Sequence, residues 1–307
     1  MALNAIERTE AAALIQEQPI AEIVQTATET SAALRTFRKV NMGTSIATLP
    51  VISALPVAGF ITGDVGVKPT TEAAWEKKVL TAEELAVIVA IPENVFDDSS
   101  VNIWNEVRPR IAEAFAVALD AAVFFGTGAP ASWPDSLAEG AIAAGNTASA
   151  AGAGDLVEDI NQTWKKVEDD GFDVNVTYGP RALRSSLRGL RDTTGQPLLA
   201  VVGGLGSAPS YTIYGEDLEF VSTAAWRSPP TAAPSAVVIA GDRNMAILGI
   251  RQDATYKLLD QATVGGISLA ETDQIALRCK MRVAFQVADP STLSGGATAY
   301  PFAALVA

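Results

Sequence analysis

Hydrophobic residues near the end of the chain alternate strictly. Ile275, Leu277, Cys279, Met281, Val283, Phe285 and Val287 take every second position, with Gln274, Arg278, Lys280, Arg282 and Gln286 among the residues between them. A period of two predicts a long β-strand with one buried face and one cationic face. Farther upstream the period changes. Val101, Trp104, Val107, Ile111, Phe115, Ala118, Ala122 and Phe125 recur at spacings of three and four, the mark of a long helix with one apolar face. Asp97-Asp98-Ser99-Ser100 supplies N-cap residue types ahead of it, and Gly126-Thr127-Gly128 stops it. Pro109 inside the pattern predicts a kink, or a fresh helix start with Pro109 in the first turn.

Between the arm-like N-terminus and this helix, strand character appears twice. Thr44–Phe60 is apolar and broken by Pro50 and Pro56, and Leu85–Ile91 carries Val87, Ile88 and Val89. The residues between, Ile61–Thr81, are polar and turn-rich and include Trp75, Lys77 and Lys78. Two strands flanking so long a loop imply a hairpin projecting from the body as a functional arm, because ordinary hairpins turn within a few residues. The first 43 residues hold a possible helix at Ala2–Glu17, Pro19, and an Ala-, Thr- and Glu-rich stretch. With little to bury, this segment is expected to lie against a neighbour. After a loop at Ala129–Gly154, an amphipathic helix at Asp155–Asp170, a strand at Val174–Tyr178, a helix at Arg181–Arg191 and four further strands predict an α+β middle region.

Composition narrows the chemistry. The chain has 307 residues, a formal net charge of -13 and no histidine. Absence of His removes the Ser-His and Cys-His dyads and the commonest metal ligand. An acidic chain is a poor reader of nucleic-acid sequence, but it suits a protein held soluble at high copy number. Cys279 is expected to be a small buried apolar residue. The N-terminus lacks a basic stretch followed by an apolar one, and no window is long enough to span a membrane, so a soluble, non-secreted protein is expected.

Four features carry candidate chemistry. Arg181, Arg184, Arg188 and Arg191 fall on one side of the predicted helix, fit for phosphate or for a partner's carboxylates; a solvated face explains them equally well. Arg278, Lys280 and Arg282 form a second basic row, facing DNA, a neighbouring subunit's acids, or solvent. Gly203-Gly204-Leu205-Gly206 lacks the Lys and Ser/Thr of a phosphate loop and reads as flexible chain. The pairs Asp97-Asp98 and Asp169-Asp170 sit at helix ends, where a helix dipole accounts for the first. No nucleophile motif of the Gly-x-Ser-x-Gly kind is present, and no enzyme activity, cofactor or metal is expected.

Several phrases, in order, resemble the Hong Kong 97-type phage major capsid proteins. They are Ile91-Pro92-Glu93-Asn94-Val95-Phe96-Asp97-Asp98-Ser99 before the long helix and Asp120-Ala121-Ala122-Val123-Phe124-Phe125-Gly126 at its end. Asp192-Thr193-Thr194-Gly195-Gln196-Pro197-Leu198, Ile239-Ala240-Gly241-Asp242 with Ile250-Arg251, and the closing strand before Asp289-Pro290 follow. The resemblance implies an α+β Hong Kong 97-like capsid fold: an N-terminal arm (1–43), an extended E-loop hairpin (54–84), a peripheral domain with a long spine helix (44–53, 85–151 and 268–307) and an axial domain (152–267). It implies a major capsid protein that self-assembles as hexamers and pentamers into the icosahedral head of a tailed double-stranded DNA phage. Portal, scaffolding and decoration proteins would be its partners, and DNA would be contacted non-specifically. The protein would be made in the host bacterial cytoplasm and reside in the virion.

Trp75, Lys77, Lys78, Arg181, Arg184, Arg188 and Arg191 become candidates for intersubunit contact. Some members join an E-loop Lys to an Asn of the peripheral domain. No Asn follows Asn244, so no such crosslink is expected. The short stretch ahead of the core implies a separate scaffold or a processed chain. An encapsulin-type nanocompartment, which uses the same fold to enclose enzymes, is the alternative.

Overall fold

The computed structural model describes residues 31–61, 68, 70–94, 103–150, 156–189, 200–202, 210–226, 236–296 and 298–306. Its first elements are α1 (Ala32–Thr36), β1 (Arg38–Asn41), β2 (Ile46–Ala54), β3 (Ala74–Thr81), β4 (Glu83–Pro92), α2 (Ile103–Phe125), α3 (Leu137–Ala143) and β5 (Thr147–Ser149). There follow α4 (Leu156–Asp169), β6 (Val176–Pro180), α5 (Leu183–Gly189), β7 (Ala200–Val202), β8 (Ser210–Ile213), β9 (Glu216–Val221) and β10 (Ala236–Gly241). The chain closes with β11 (Ala246–Leu259), β12 (Thr263–Val264), β13 (Ile267–Ser268), β14 (Gln274–Val287) and β15 (Phe302–Val306).

Two sheets organise the body. One has four strands in the order β1-β11-β14-β4, and the other has seven in the order β5-β15-β10-β6-β9-β8-β7. The alternation read at β14 places Leu277, Cys279, Met281, Val283 and Phe285 inside, where they share one core cluster with Trp104, Ile111 and Phe115 of α2. Burying a large apolar side chain contributes ~1.5–3 kcal/mol, so this seam holds the helix to the sheet. At its C-terminal end α2 runs between the two sheets. Phe124 meets Phe37 at 5.7 Å and Tyr178 of β6 at 4.9 Å, and Phe125 packs on Trp226 at 4.9 Å. Aromatic pairs at such spacings add to the burial term.

The helix is continuous through Pro109. Pro109 therefore lies well inside it and starts no new helix, at the loss of one backbone hydrogen bond. The helix ends where the glycine predicted: Gly126 has φ 69°, its N–H donates to Ala122, and Thr127 N–H donates to Ala121. The predicted apolar stripe drifts at its far end. Leu119 is buried, whereas Ala118 is exposed.

Three sequence expectations are redrawn. The polar excursion contains a strand: β3 spans Ala74–Thr81 and pairs antiparallel with β2, from Ile46↔Thr81 to Ala54↔Ala74. The strand Leu85–Ile91 is not the hairpin's second limb, because β4 pairs along β14. The Ala129–Gly154 loop contains α3, capped by a reciprocal Ser136–Glu139 box. Residues 302–306 hydrogen-bond into the seven-stranded sheet through β10 and β5.

Candidate assembly surfaces

The β2–β3 hairpin has two unlike faces. Val51 and Leu80 turn inward, and Leu80 joins Met42, Ala82, Ile247 and Ala284 in a small cluster over the four-stranded sheet. The opposite face carries Trp75, Lys77 and Val79 of β3 beside Ile46 and Ile52 of β2. Trp75 is 69% exposed, Ile46 55% and Val79 44%. Trp75 stands opposite Ile52 in the register, so the two form one apolar cross-strand pair that is exposed among the described residues. An exposed Trp on a strand is uncommon, and a bare apolar patch of this kind marks a contact surface.

The ladder itself does not project. Gln286 Nε2 donates to the Val79 carbonyl (2.9 Å), the Lys78 ammonium meets the Asp289 carboxylate at 3.0 Å, and Ser291 N–H donates to the Ile52 carbonyl (2.9 Å). Lys78 is thus engaged within its own chain, while Lys77 is exposed on the bare face. What extends beyond the body is the connection after Ala54, where Val57 is 65% exposed and Phe60 fully so.

The arginine row is broken up. The helix begins at Leu183, so Arg181 lies in the turn before it, and Arg191 lies outside the described residues. Arg184 is half-buried, its guanidinium 4.6 Å from the Tyr211 ring centroid and 4.4 Å from that of Phe220. This cation–π stacking makes Arg184 part of the packing around α5. Arg188 is exposed and its Nε donates to the Arg184 carbonyl. Of the three described, Arg181 and Arg188 lie at the surface.

The basic row on β14 survives intact. Arg278, Lys280 and Arg282 lie half-buried on the sheet's outer face, and pairing with β11 sets Lys257 opposite Arg278. Sequence reading did not include Lys257, because the second half of β11 lacks a clean alternation. Glu84 of β4 stands opposite Arg282 and lies 3.9 Å from Lys280.

The sequence marks Asp120 as the start of a family phrase but does not reveal its structural role. Asp120 of α2 is 1% exposed and accepts hydrogen bonds from Ser31 Oγ (2.5 Å), Ala32 N–H (2.9 Å) and Ala33 N–H (3.1 Å). It caps α1 across a separation of almost ninety residues. A carboxylate between Leu119 and Ala121, inside the most apolar stretch of the helix, was the available signal. Two other phrases also acquire structural reasons. A Cβ on Gly249 would lie 2.4 Å from Met42 Sδ, and Arg251 donates to the Gly43 carbonyl, so Gly249-Ile250-Arg251 lets β1 pass close and fastens its end. A Cβ on Gly241 would lie 2.2 Å from the Pro301 carbonyl oxygen, and Asp242 accepts from Asn175 and Asn244 at the turn that follows.

Asp97–Ser100, Asp192–Leu198, Gly203–Gly206 and the first thirty residues lie outside the described residues. Among the described residues, no group of three or more Cys, Asp or Glu side chains is arranged to hold a metal ion, and no helix is long and apolar enough to cross a membrane. Cys279 is fully buried in the α2–β14 core.

The model of the phage capsid family matches residues 11–296. A solved structure from Microbacterium phage Oxtober96 is 45% identical, with 98% of this chain and 99% of that one covered and a TM-score of 0.84. One from Mycobacterium phage Bobi is 36% identical over 98% of both chains, with a TM-score of 0.83. A capsid of an empty GTA particle, 18% identical over 99% of both chains, shares the fold at a TM-score of 0.66. No curated protein matches. Matched along nearly its whole length by family and by fold, the chain belongs to the phage capsid family and is a shell-forming major capsid protein with a Hong Kong 97-like fold.

Proposed function

We propose that the chain forms the icosahedral head of a tailed double-stranded DNA phage, as hexamers and pentamers closed around packaged DNA. The four-stranded sheet with α2 is the peripheral body in this reading, and the seven-stranded sheet is the axial body. The observation that carries it is the hairpin: one face is buried on its own sheet, and the other presents Ile46, Ile52, Trp75 and Val79 to solvent. A soluble monomer gains nothing from such a face, whereas a symmetric shell repeats one modest contact many times. Trp75 and Lys77, with Arg181 and Arg188, serve as intersubunit contacts, and the Arg278–Lys280–Arg282 face meets polyanion or a neighbour's acids. The chain catalyses no reaction. Portal and scaffold are supplied by other chains.

Cryo-electron microscopy of particles purified from phage-producing cells tests this reading. Icosahedral shells with a portal at one vertex and DNA inside are expected. Closed shells that lack portal and DNA and hold an enzyme cargo would instead assign the chain to a nanocompartment.

A further inference from the structure

Residues 31–41 form one continuous run that reaches the long helix and both sheets. Ser31, Ala32 and Ala33 donate to the Asp120 carboxylate of α2. Arg35 pairs with Glu219 of β9 at 2.5 Å, and Thr36 Oγ1 shares a 2.7 Å hydrogen bond with the Tyr178 hydroxyl of β6. Arg38–Asn41 then pair in parallel with Ile247–Ile250 of β11. Phe37 stands at the meeting point. It is 4% exposed, and its ring lies 5.7 Å from that of Phe124 in α2, 6.0 Å from Tyr178 in β6 and 6.3 Å from Phe285 in β14. One side chain thus touches the helix and both sheets.

The run owes its order to what it binds. Helix α1 has five residues, too few to hold a helix unaided. Strand β1 has four residues, at the edge of its sheet and in parallel pairing, the weaker of the two ladders per residue. What the run contributes is connection, and its polar ties differ in kind from the packing around them. Apolar burial is non-directional, so the contacts of α2 with both sheets hold distance better than angle. Hydrogen bonds weaken steeply off their axis, so ties at Asp120, Tyr178 and Glu219 resist rotation.

A pivot for such rotation is present. β10 of the seven-stranded sheet ends at Gly241, and β11 of the four-stranded sheet begins at Ala246. The segment leaving β14 is fastened at the same place, where the Ala288 N–H donates to the Met245 carbonyl (2.8 Å). Two crossings gathered at one point leave the sheets free to turn about it unless a further element ties them.

We infer that Ser31–Asn41 is a strap that locks the angle between the two sheets, with Arg35, Thr36 and Phe37 as the positioning residues of the lock. The strap belongs to a single chain and does not depend on the shell.

Double electron–electron resonance between nitroxides at Ser149→Cys on β5 and Lys257→Cys on β11 tests the strap, in full-length protein diluted with unlabelled chain. Both sites are exposed, and the buried Cys279 takes no label. The otherwise wild-type chain should give one narrow distance distribution. Arg35→Ala with Thr36→Val cuts both side-chain ties to the seven-stranded sheet and should at least double the width, as should Phe37→Ala. Val167→Ala opens a cavity in the separate core under α4 and should leave the width unchanged. Circular dichroism establishes that each variant is folded; should Phe37→Ala not fold, the Arg35→Ala, Thr36→Val chain decides. A wild-type width in that folded chain would overturn the inference. Equal broadening by Val167→Ala would overturn it too, because the width would then report general loosening.

Discussion

The buried Asp120 carboxylate accepts a 2.5 Å hydrogen bond from the Ser31 hydroxyl and two more from the backbone of α1. This joins the first described residues of the chain to the C-terminal part of the long helix. Around it, Arg35 pairs with Glu219 at 2.5 Å, and Thr36 Oγ1 shares a hydrogen bond with the Tyr178 hydroxyl at 2.7 Å. The departure point of the N-terminal segment is therefore fixed by one side chain of the core.

Removing the two partners should have unequal effects. Ser31→Ala deletes one cap and should cost about 1 kcal/mol. Asp120→Ala leaves two backbone donors and a hydroxyl without their acceptor in a dry site, and should cost about 3 kcal/mol. Denaturant unfolding of the unassembled protein measures both, and equal losses would contradict the capping role.

The pH dependence follows from the same site. Burial outweighs the three hydrogen bonds and the nearby Arg35 guanidinium, and it holds the Asp120 carboxyl above the usual carboxylate range. A raised folded value means the native state binds this proton more tightly than the unfolded chain does. The associated stability is present below the unfolded value, about 4, and is lost as pH rises through the folded one. The advantage of wild type over Asp120→Asn should therefore widen on acidification from pH 7. A narrowing advantage in the same unfolding assay would show that the hydrogen bonds outweigh burial.

The Lys78–Asp289 pair ties the hairpin to the closing residues of its own chain. Their side chains are 24% and 29% exposed, which places the pair near the upper end of surface ion pairs, at about 1 kcal/mol. Lys78→Met should raise hydrogen exchange across Ala74–Thr81 and leave α2 unchanged. Loss of assembly with exchange unaltered would instead assign Lys78 to a subunit contact.

Much of this was legible in the sequence because burial imposes period. The two-residue alternation of β14 and the three-to-four spacing of α2 each name the face that meets the other, and Trp104, Ile111 and Phe115 lie with Cys279, Met281 and Val283 in one core. Strand β3 was not legible. Its sequence, Ala-Trp-Glu-Lys-Lys-Val-Leu-Thr, exposes two apolar residues, Trp75 and Val79, on the face a period of two would make polar. The arginine row misled for a related reason: spacing shows a common side but not that aromatic rings already cover Arg184. Asp120 was hidden because its three donors are remote in sequence.

Negative-stain electron microscopy of wild type and Trp75→Asp, purified side by side, tests most directly whether the exposed hairpin face builds the shell. Trp75 is exposed and stands opposite exposed Ile52, so the change should alter unfolding free energy by no more than about 0.5 kcal/mol. Wild type is predicted to form closed shells, and Trp75→Asp to remain as folded, unassembled protein. Closed shells from both proteins, or none from wild type at high concentration, would contradict the account.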